Sequence, residues 1–176
     1  PHGLFGMLVW VVAEIMVFAG LISAFVVIKA GSVVWPPPNQ PRLPVEETAL
    51  NTLALLASGF FLILAHRAFH RGDRESTRRP LWLALALGAF FVLFQGAEWV
   101  AMLGQGLTLT SSSLGSCFSM IVGVHALHAV AALVLLAVAA ARLRRGWLTP
   151  GLFGAAEALW FFVVAVWPIL YFVVYL

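Results

Sequence analysis

The 176-residue sequence predicts an all-α integral membrane protein, a five-helix bundle forming a single transmembrane domain over residues 1–176. Three observations carry that prediction. The chain is 62% hydrophobic and 10% charged, with a mean hydropathy of +1.01, whereas soluble domains are roughly 45–50% apolar and about a quarter charged. It contains five apolar runs, and at about 20 residues per crossing five spans take roughly 100 residues, leaving room for connectors. The runs are apolar on all sides without period-2 alternation, which argues against strands. In hydrocarbon every backbone N–H and C=O must be paired internally, and that leaves helices. The same composition excludes a disordered or nucleic-acid-binding chain. The pI near 9.8 rests on ten Lys and Arg against seven acids. The lone Cys117 lies inside an apolar run, so no disulfide framework or thiolate metal cluster is expected.

The first span is read as Phe5–Ile28, ended by Lys29, Ala30 and Gly31. It lacks a basic start and is too long for the apolar region of a signal peptide. The second is Thr48–Ala65, between Glu47 and a basic stretch that begins at His66. The third is Leu81–Leu103, opened by Pro80 as a first-turn residue and closed by Gly104. The fourth is Leu114–Ala141 and the fifth Phe153–Tyr175. The chain starts at Pro1 rather than Met, which leaves room for residues upstream.

Charge predicts the orientation. The connector from His66 to Pro80 holds Arg67, Arg71, Arg74, Arg78 and Arg79, and that from Arg142 to Leu152 holds Arg142, Arg144 and Arg145. The other two connectors hold only Lys29 and Arg42. The positive-inside rule puts the arginine-rich connectors in the cytoplasm, with the N-terminus inside and the C-terminus on the outer side. Trp35, Trp82, Trp99, Trp147, Tyr171 and Tyr175 suit interfacial anchoring. The first outer connector carries Pro36, Pro37, Pro38, Pro41 and Pro44, which impose a stiff, extended path. Its plain role is a rigid spacer. Its sharper role is a docking surface built from Trp35, Pro36, Pro37 and Pro38 for a partner on the outer side.

Five ionisable residues lie inside spans: Glu14, Glu98, His125, His128 and Glu157. A charge at mid-membrane costs roughly 2.5–3.5 kcal/mol on insertion scales, so each is a candidate functional group. Glu14 sits near the middle of its helix with no basic neighbour at helical spacing, and desolvation without a cation favours the neutral acid. A protonated Glu14 can donate a hydrogen bond to a neighbouring helix, or exchange protons, or contact lipid. His125 and His128 are three apart and share a helix face. Zinc needs three or four ligands and no further cluster completes a set, so interhelical hydrogen bonding is expected, with Glu14 and Glu98 as candidate partners. Glu98 follows Gln95 by three and suits a helix–helix bond or a contact with the outer loops. Glu157 is placed to reach the headgroup region, and His66 and His70 to be solvated at a helix end. Gly115, Ser119 and Gly123 form a small-residue stripe that permits close packing rather than an open pore. No phosphate loop, nucleophile elbow or symmetric pair of broken helices is present.

Together these segments resemble subunit III of the haem–copper terminal oxidases in its short five-helix form, over essentially the whole chain. Gly6-Met-Leu-Val-Trp-Val-Val-Ala-Glu14-Ile-Met-Val-Phe18 resembles the family's Gly-Met…Ser-Glu-x-x-x-Phe helix. Trp35-Pro-Pro-Pro, Leu43-Pro44 and Asn51-Thr52…Leu55-Leu56-Ala-Ser58 are similar to its proline loop and next helix. Gln95-Gly-Ala-Glu98-Trp99 is similar to its Gln-x-x-Glu-Tyr/Trp element, and Val122-Gly-Val-His125-Ala-Leu-His128 resembles its Thr-Gly-Phe-His-Gly-Leu-His signature. The fifth helix departs from the family's Tyr-Trp-His-Phe-Val-Asp-Val-Val-Trp. Phe161 stands for the histidine, Val164 for the aspartate and Gly154 for an upstream glutamate, with Glu157 one turn later.

The resemblance implies an accessory subunit with no haem, copper or other metal of its own, packed beside a catalytic subunit I that carries haem and copper, with subunit II and further respiratory subunits nearby. It implies bound phospholipid in a cleft between the family's first two helices and the rest of the bundle. It further implies support of proton uptake and protection of the catalytic site against turnover-linked inactivation. Glu14 falls on the family's carbodiimide-reactive glutamate, and the outermost two helices of the seven-helix form would be absent. The alternatives are a related accessory protein of a nitric oxide reductase system and, from another class, a stand-alone small transporter or channel.

Overall fold

The computed structural model describes residues 2–176. Five helices, each long and apolar enough to cross a membrane, follow in order: α1 (His2–Gly31), α2 (Val45–His70), α3 (Arg74–Gly104), α4 (Ser113–Arg144) and α5 (Pro150–Leu170), the last closing in a π-helical turn over Tyr171–Tyr175. At 1.5 Å per residue the longest, α4, is about 48 Å, enough to cover the hydrocarbon core and the headgroup layers. α1 to α4 run beyond both ends of the apolar runs that predict them, and α5 starts earlier than its run, at Pro150.

α2, α3 and α4 end by one device. Gly72, Gly106 and Gly146 adopt φ of 77°, 92° and 75°, a conformation that glycine takes without a Cβ penalty. Each sits where its own N–H and that of the next residue fold back onto carbonyls of the last turn: Gly72 to Phe69 and Asp73 to Ala68, Gly106 to Leu103 and Leu107 to Met102, Gly146 to Leu143 and Trp147 to Arg142. α3 closes at Gly104, as the sequence suggests, although the glycine that turns the chain is Gly106. Pro80 is not its start, for α3 begins at Arg74 and Pro80 lies inside it. The start is set by Asp73, whose carboxylate accepts the Ser76 N–H at 2.9 Å and the Ser76 hydroxyl.

Those hydrogen bonds from Ser76, hydroxyl first and backbone second, hold the Asp73 carboxyl below its usual range. The cap is complete above about pH 4, the ordinary carboxylate value, and fades as pH falls through the lower folded value. Thermal unfolding followed from neutral pH into acid is expected to show this component in the wild type. Asp73→Asn, whose amide caps without titrating, is expected to lack it.

α2 pairs with α3 along most of its length, while α5 occupies the centre, packed on α4, α1 and α2. α1 is laid against α5 and α4 rather than against α2, its neighbour in sequence, and the proline connector carries the chain between them. The middle of the bundle is filled: Trp160, Trp167, Phe91, Phe118, Phe25 and Leu55 are all fully buried. At Gly88 the Trp160 indole lies so close that a Cβ would meet it at 2.6 Å. The small-residue stripe on α4 is used differently at each step. Gly115 accommodates the Thr108 carbonyl of the preceding connector, at 2.2 Å from where a Cβ would stand, and Gly123 lies under the Trp99 ring.

Candidate functional site

The polar residues of the spans fall into three groups at different depths. The middle group joins α1, α4 and α5. Glu14 Oε2 lies 3.0 Å from His128 Nε2. The other ring nitrogen, Nδ1, lies 2.7 Å from the Val124 carbonyl one turn back on α4. A carbonyl can only accept, so Nδ1 carries a hydrogen and donates it. The contact between Nε2 and the Glu14 carboxyl then holds a single proton, on one side or the other. Trp10 stacks on the His128 ring at 5.3 Å, and Phe18 and Phe162 meet it edge-on at 5.5 and 6.1 Å.

His125, on the same helix face, does something else. Its Nε2 donates to the Val163 carbonyl of α5 at 3.1 Å, and its ring lies 4.9 Å from Trp167 and 6.2 Å from Phe91. It ties α4 to α5 in the core and does not bond to Glu14. Glu98 pairs with neither histidine, contrary to the expectation from sequence: its Oε2 accepts from the Thr48 hydroxyl of α2 at 2.9 Å. Beside it Asn51 donates to the Phe91 carbonyl at 3.2 Å and to Gln95 Oε1 at 3.4 Å, while Gln95 Nε2 donates to the Tyr175 hydroxyl at 2.9 Å. Tyr175 is thus buried in a polar cluster near the end of the chain rather than anchored at the interface.

At the arginine-rich end, Glu157 is 4% exposed and bonded through both carboxylate oxygens to His66 Nδ1, each at 3.0 Å. This corrects two expectations. His66 is not simply solvated, because α2 and α5 cross where the pair meets, and Glu157 faces α2 instead of the headgroups. The His70 ring lies against His66, tilted by 60° with ring centroids 4.2 Å apart. His66, His70 and Glu157 form the polar wall of a cavity of about 580 Å³ otherwise lined by apolar residues, among them Leu4, Ile63 and Phe161. Val164, at the aspartate position of the resemblance, packs on Gly59, where a Cβ would stand 3.1 Å from it. On α5 the carboxyl is therefore carried about two turns earlier, at Glu157, and the aspartate position is apolar.

Sequence reasoning passed over a polar stripe on α2. Thr48, Asn51, Thr52 and Ser58 are buried and all face α3 and α5. Trp167 Nε1 donates to Thr52 Oγ1 at 2.9 Å, and Trp160 Nε1 to Ser58 Oγ at 3.0 Å, with Ser58 passing its own hydrogen to the Ala84 carbonyl at 2.7 Å. The signal was in the spacing: polar residues every three or four positions in an apolar span mark the face turned into a bundle. On the outer connector, Trp35 packs edge-on against Phe25 at 5.6 Å, the Trp35–Pro36 peptide is cis, and Pro36 and Pro38 are exposed.

Among the described residues no three His, Cys, Asp or Glu side chains are grouped to hold a metal ion. Fold and site together define a multi-pass membrane bundle whose buried polar groups join helices. Residues 2–176 match the model of the cytochrome c oxidase subunit III family. The chain is 34% identical over 174 residues to a probable cytochrome c oxidase subunit 3 of Mycobacterium leprae, covering 97% of this chain and 85% of that one. It is 32% identical over 180 residues to cytochrome c oxidase subunit 3 of Sus scrofa, covering 97% and 68%, and 29% identical over 181 residues to that of Synechocystis, covering 98% and 75%. The chain belongs to the cytochrome c oxidase subunit III family and is an accessory subunit of an oxidase complex. The nitric oxide reductase alternative gains no support from these relatives.

Proposed function

We propose that this chain sits beside a haem- and copper-bearing subunit I, with subunit II in the same complex, and that it sustains that subunit's proton uptake and working life without touching its redox chemistry. The observation that carries the reading is the Glu14–His128 pair, a one-proton hydrogen bond at the seam where α1 meets α4 and α5, enclosed by Trp10, Phe18 and Phe162. A group so placed orders α1 and the lipid beside it. Phospholipid then forms the layer between this bundle and the catalytic subunit, while His125, Glu98 and Glu157 hold the helices that shape that surface. The arginine-rich connectors lie on the cytoplasmic side of a bacterial inner membrane. The exposed Val33, Val34, Pro36 and Pro38 face partners on the outer side.

Co-purification tests the assignment. Affinity isolation of the tagged chain from gently solubilised membranes is expected to bring down a haem-bearing subunit in constant ratio, with the absorption spectrum of an oxidase. Recovery of the chain without a haem protein under conditions that keep other respiratory complexes intact would contradict it.

A further inference from the structure

The eight arginines at one end of the bundle are not equivalent. Arg74 Nη1 donates to the Gly146 carbonyl at 2.7 Å and so clamps the two arginine-rich connectors together. Arg71 Nε donates to the Arg67 carbonyl at 3.2 Å. Of the two acids in these connectors, Asp73 is engaged with Ser76 at the head of α3, and Glu75 is exposed. Arg78 and Arg79 form no hydrogen bond or ion pair with any described residue, and both are exposed. They stand at the top of a groove of about 510 Å³ whose remaining lining is Trp82, Leu83 and Ala86. Spacings of three and four residues put these five side chains on one broad face on the outside of α3. Down that face the chemistry changes in order, from two guanidiniums to an indole to aliphatic surface.

That gradient has the polarity of one molecule class. Two guanidiniums present forked donors that match phosphate oxygens, an exposed indole sits at headgroup depth, and Leu83 and Ala86 continue into the depth of an acyl chain. The surrounding end of the bundle is strongly basic, and basic residues at that level attract anionic lipid by about 1 kcal/mol each. We propose that the groove on α3 formed by Arg78, Arg79, Trp82, Leu83 and Ala86 is a binding site for an anionic phospholipid. The phosphate lies between the two guanidiniums and one acyl chain runs over Leu83 and Ala86. The site is separate from the Glu14 seam, since it lies on α3 and the seam joins α1 to α4 and α5. It depends on membrane embedding alone, and it stands or falls separately from the oxidase reading.

Native mass spectrometry of the complex purified with the full chain, after exchange into phosphatidylglycerol or phosphatidylcholine, reads this directly. Retained phosphatidylglycerol is expected to fall about thirtyfold in Arg78→Gln/Arg79→Gln, the scale set by two basic residues at an anionic surface. Ala86→Trp, which fills the tail groove and leaves all charges in place, is expected to lose it as well. Arg144→Gln/Arg145→Gln removes the same charge from the same end and is expected to retain it, phosphatidylcholine is expected not to substitute, and excess inorganic phosphate is expected not to displace it. Equal loss in both arginine pairs would overturn the site in favour of diffuse charge, and unchanged retention in Ala86→Trp would overturn the tail groove. Displacement by inorganic phosphate would make the occupant a free ion. Loss of a protein subunit from Arg78→Gln/Arg79→Gln with lipid retention unchanged would make these arginines a protein contact and overturn the proposal.

Discussion

Trp160→Ala is expected to be the most damaging single truncation in the bundle, lowering stability by about 3–5 kcal/mol, the range for removing a fully buried aromatic side chain. Trp160 is 0% exposed, on the central helix, with its indole between Ser58 of α2 and Gly88 of α3. Packing outweighs the hydrogen bond here. Interhelical hydrogen bonds in membranes average about 0.6 kcal/mol, so Ser58→Ala is expected to cost only a small part of that loss. The complementary change, Gly88→Ala, places a methyl 2.6 Å from a rigid ring and is expected to cost about 1–3 kcal/mol by overpacking. Thermal unfolding of the purified complex, followed by intrinsic fluorescence, ranks the three. A Gly88→Ala as stable as the wild type would show that α3 and α5 do not cross as tightly as described.

The second large effect separates two ways of holding the proton between Glu14 and His128. With the proton on Glu14, the carboxyl donates to His128 Nε2, and a glutamine amide can make the same bond. Glu14→Gln is then expected to cost under about 1 kcal/mol, within the range of membrane hydrogen bonds. With the proton on the imidazole the contact is a buried ion pair, and removing one charge costs about 3–5 kcal/mol. His128→Ala is expected to be costly either way. It leaves the Glu14 carboxyl without its partner, about 1–3 kcal/mol, and removes the ring against which Trp10, Phe18 and Phe162 pack. The measurement is unfolding of Glu14→Gln and His128→Ala side by side. A large loss in Glu14→Gln would establish the ion pair.

The class of fold was legible because hydrocarbon leaves so few options: an apolar run of sufficient length has to be a helix. Glu14, His125 and His128 stood out for the same reason, as polar groups where polarity is expensive. Boundaries were less legible. Pro80 reads as a helix start, yet Asp73, with Ser76 three residues on, is the cap that starts α3, and a proline six residues into the helix is tolerated near its head. Pairings were least legible. Nothing in the sequence says that α1 skips α2 to lie against α5 and α4. Glu14 reads as a candidate partner of the histidine face and does meet His128, but the placing of Glu98 on Thr48 and the meeting of His66 with Glu157 did not follow from spacing. The fifth helix shows how a motif position can mislead. At Val164 the resemblance leads one to look for an aspartate and the structure has an apolar contact with Gly59, while the working carboxyl sits at Glu157.

The claim that this chain serves endurance rather than chemistry is tested most directly by following oxygen consumption of the assembled oxidase carrying Glu14→Ala, from the first turnovers until activity decays. With the pair at the α1 seam acting on lipid and helix order beside the catalytic subunit, the initial rate is expected to stay close to the wild type and the active lifetime to shorten severalfold. An assembled complex that starts without activity, or one that starts normally and lasts as long as the wild type, would contradict it.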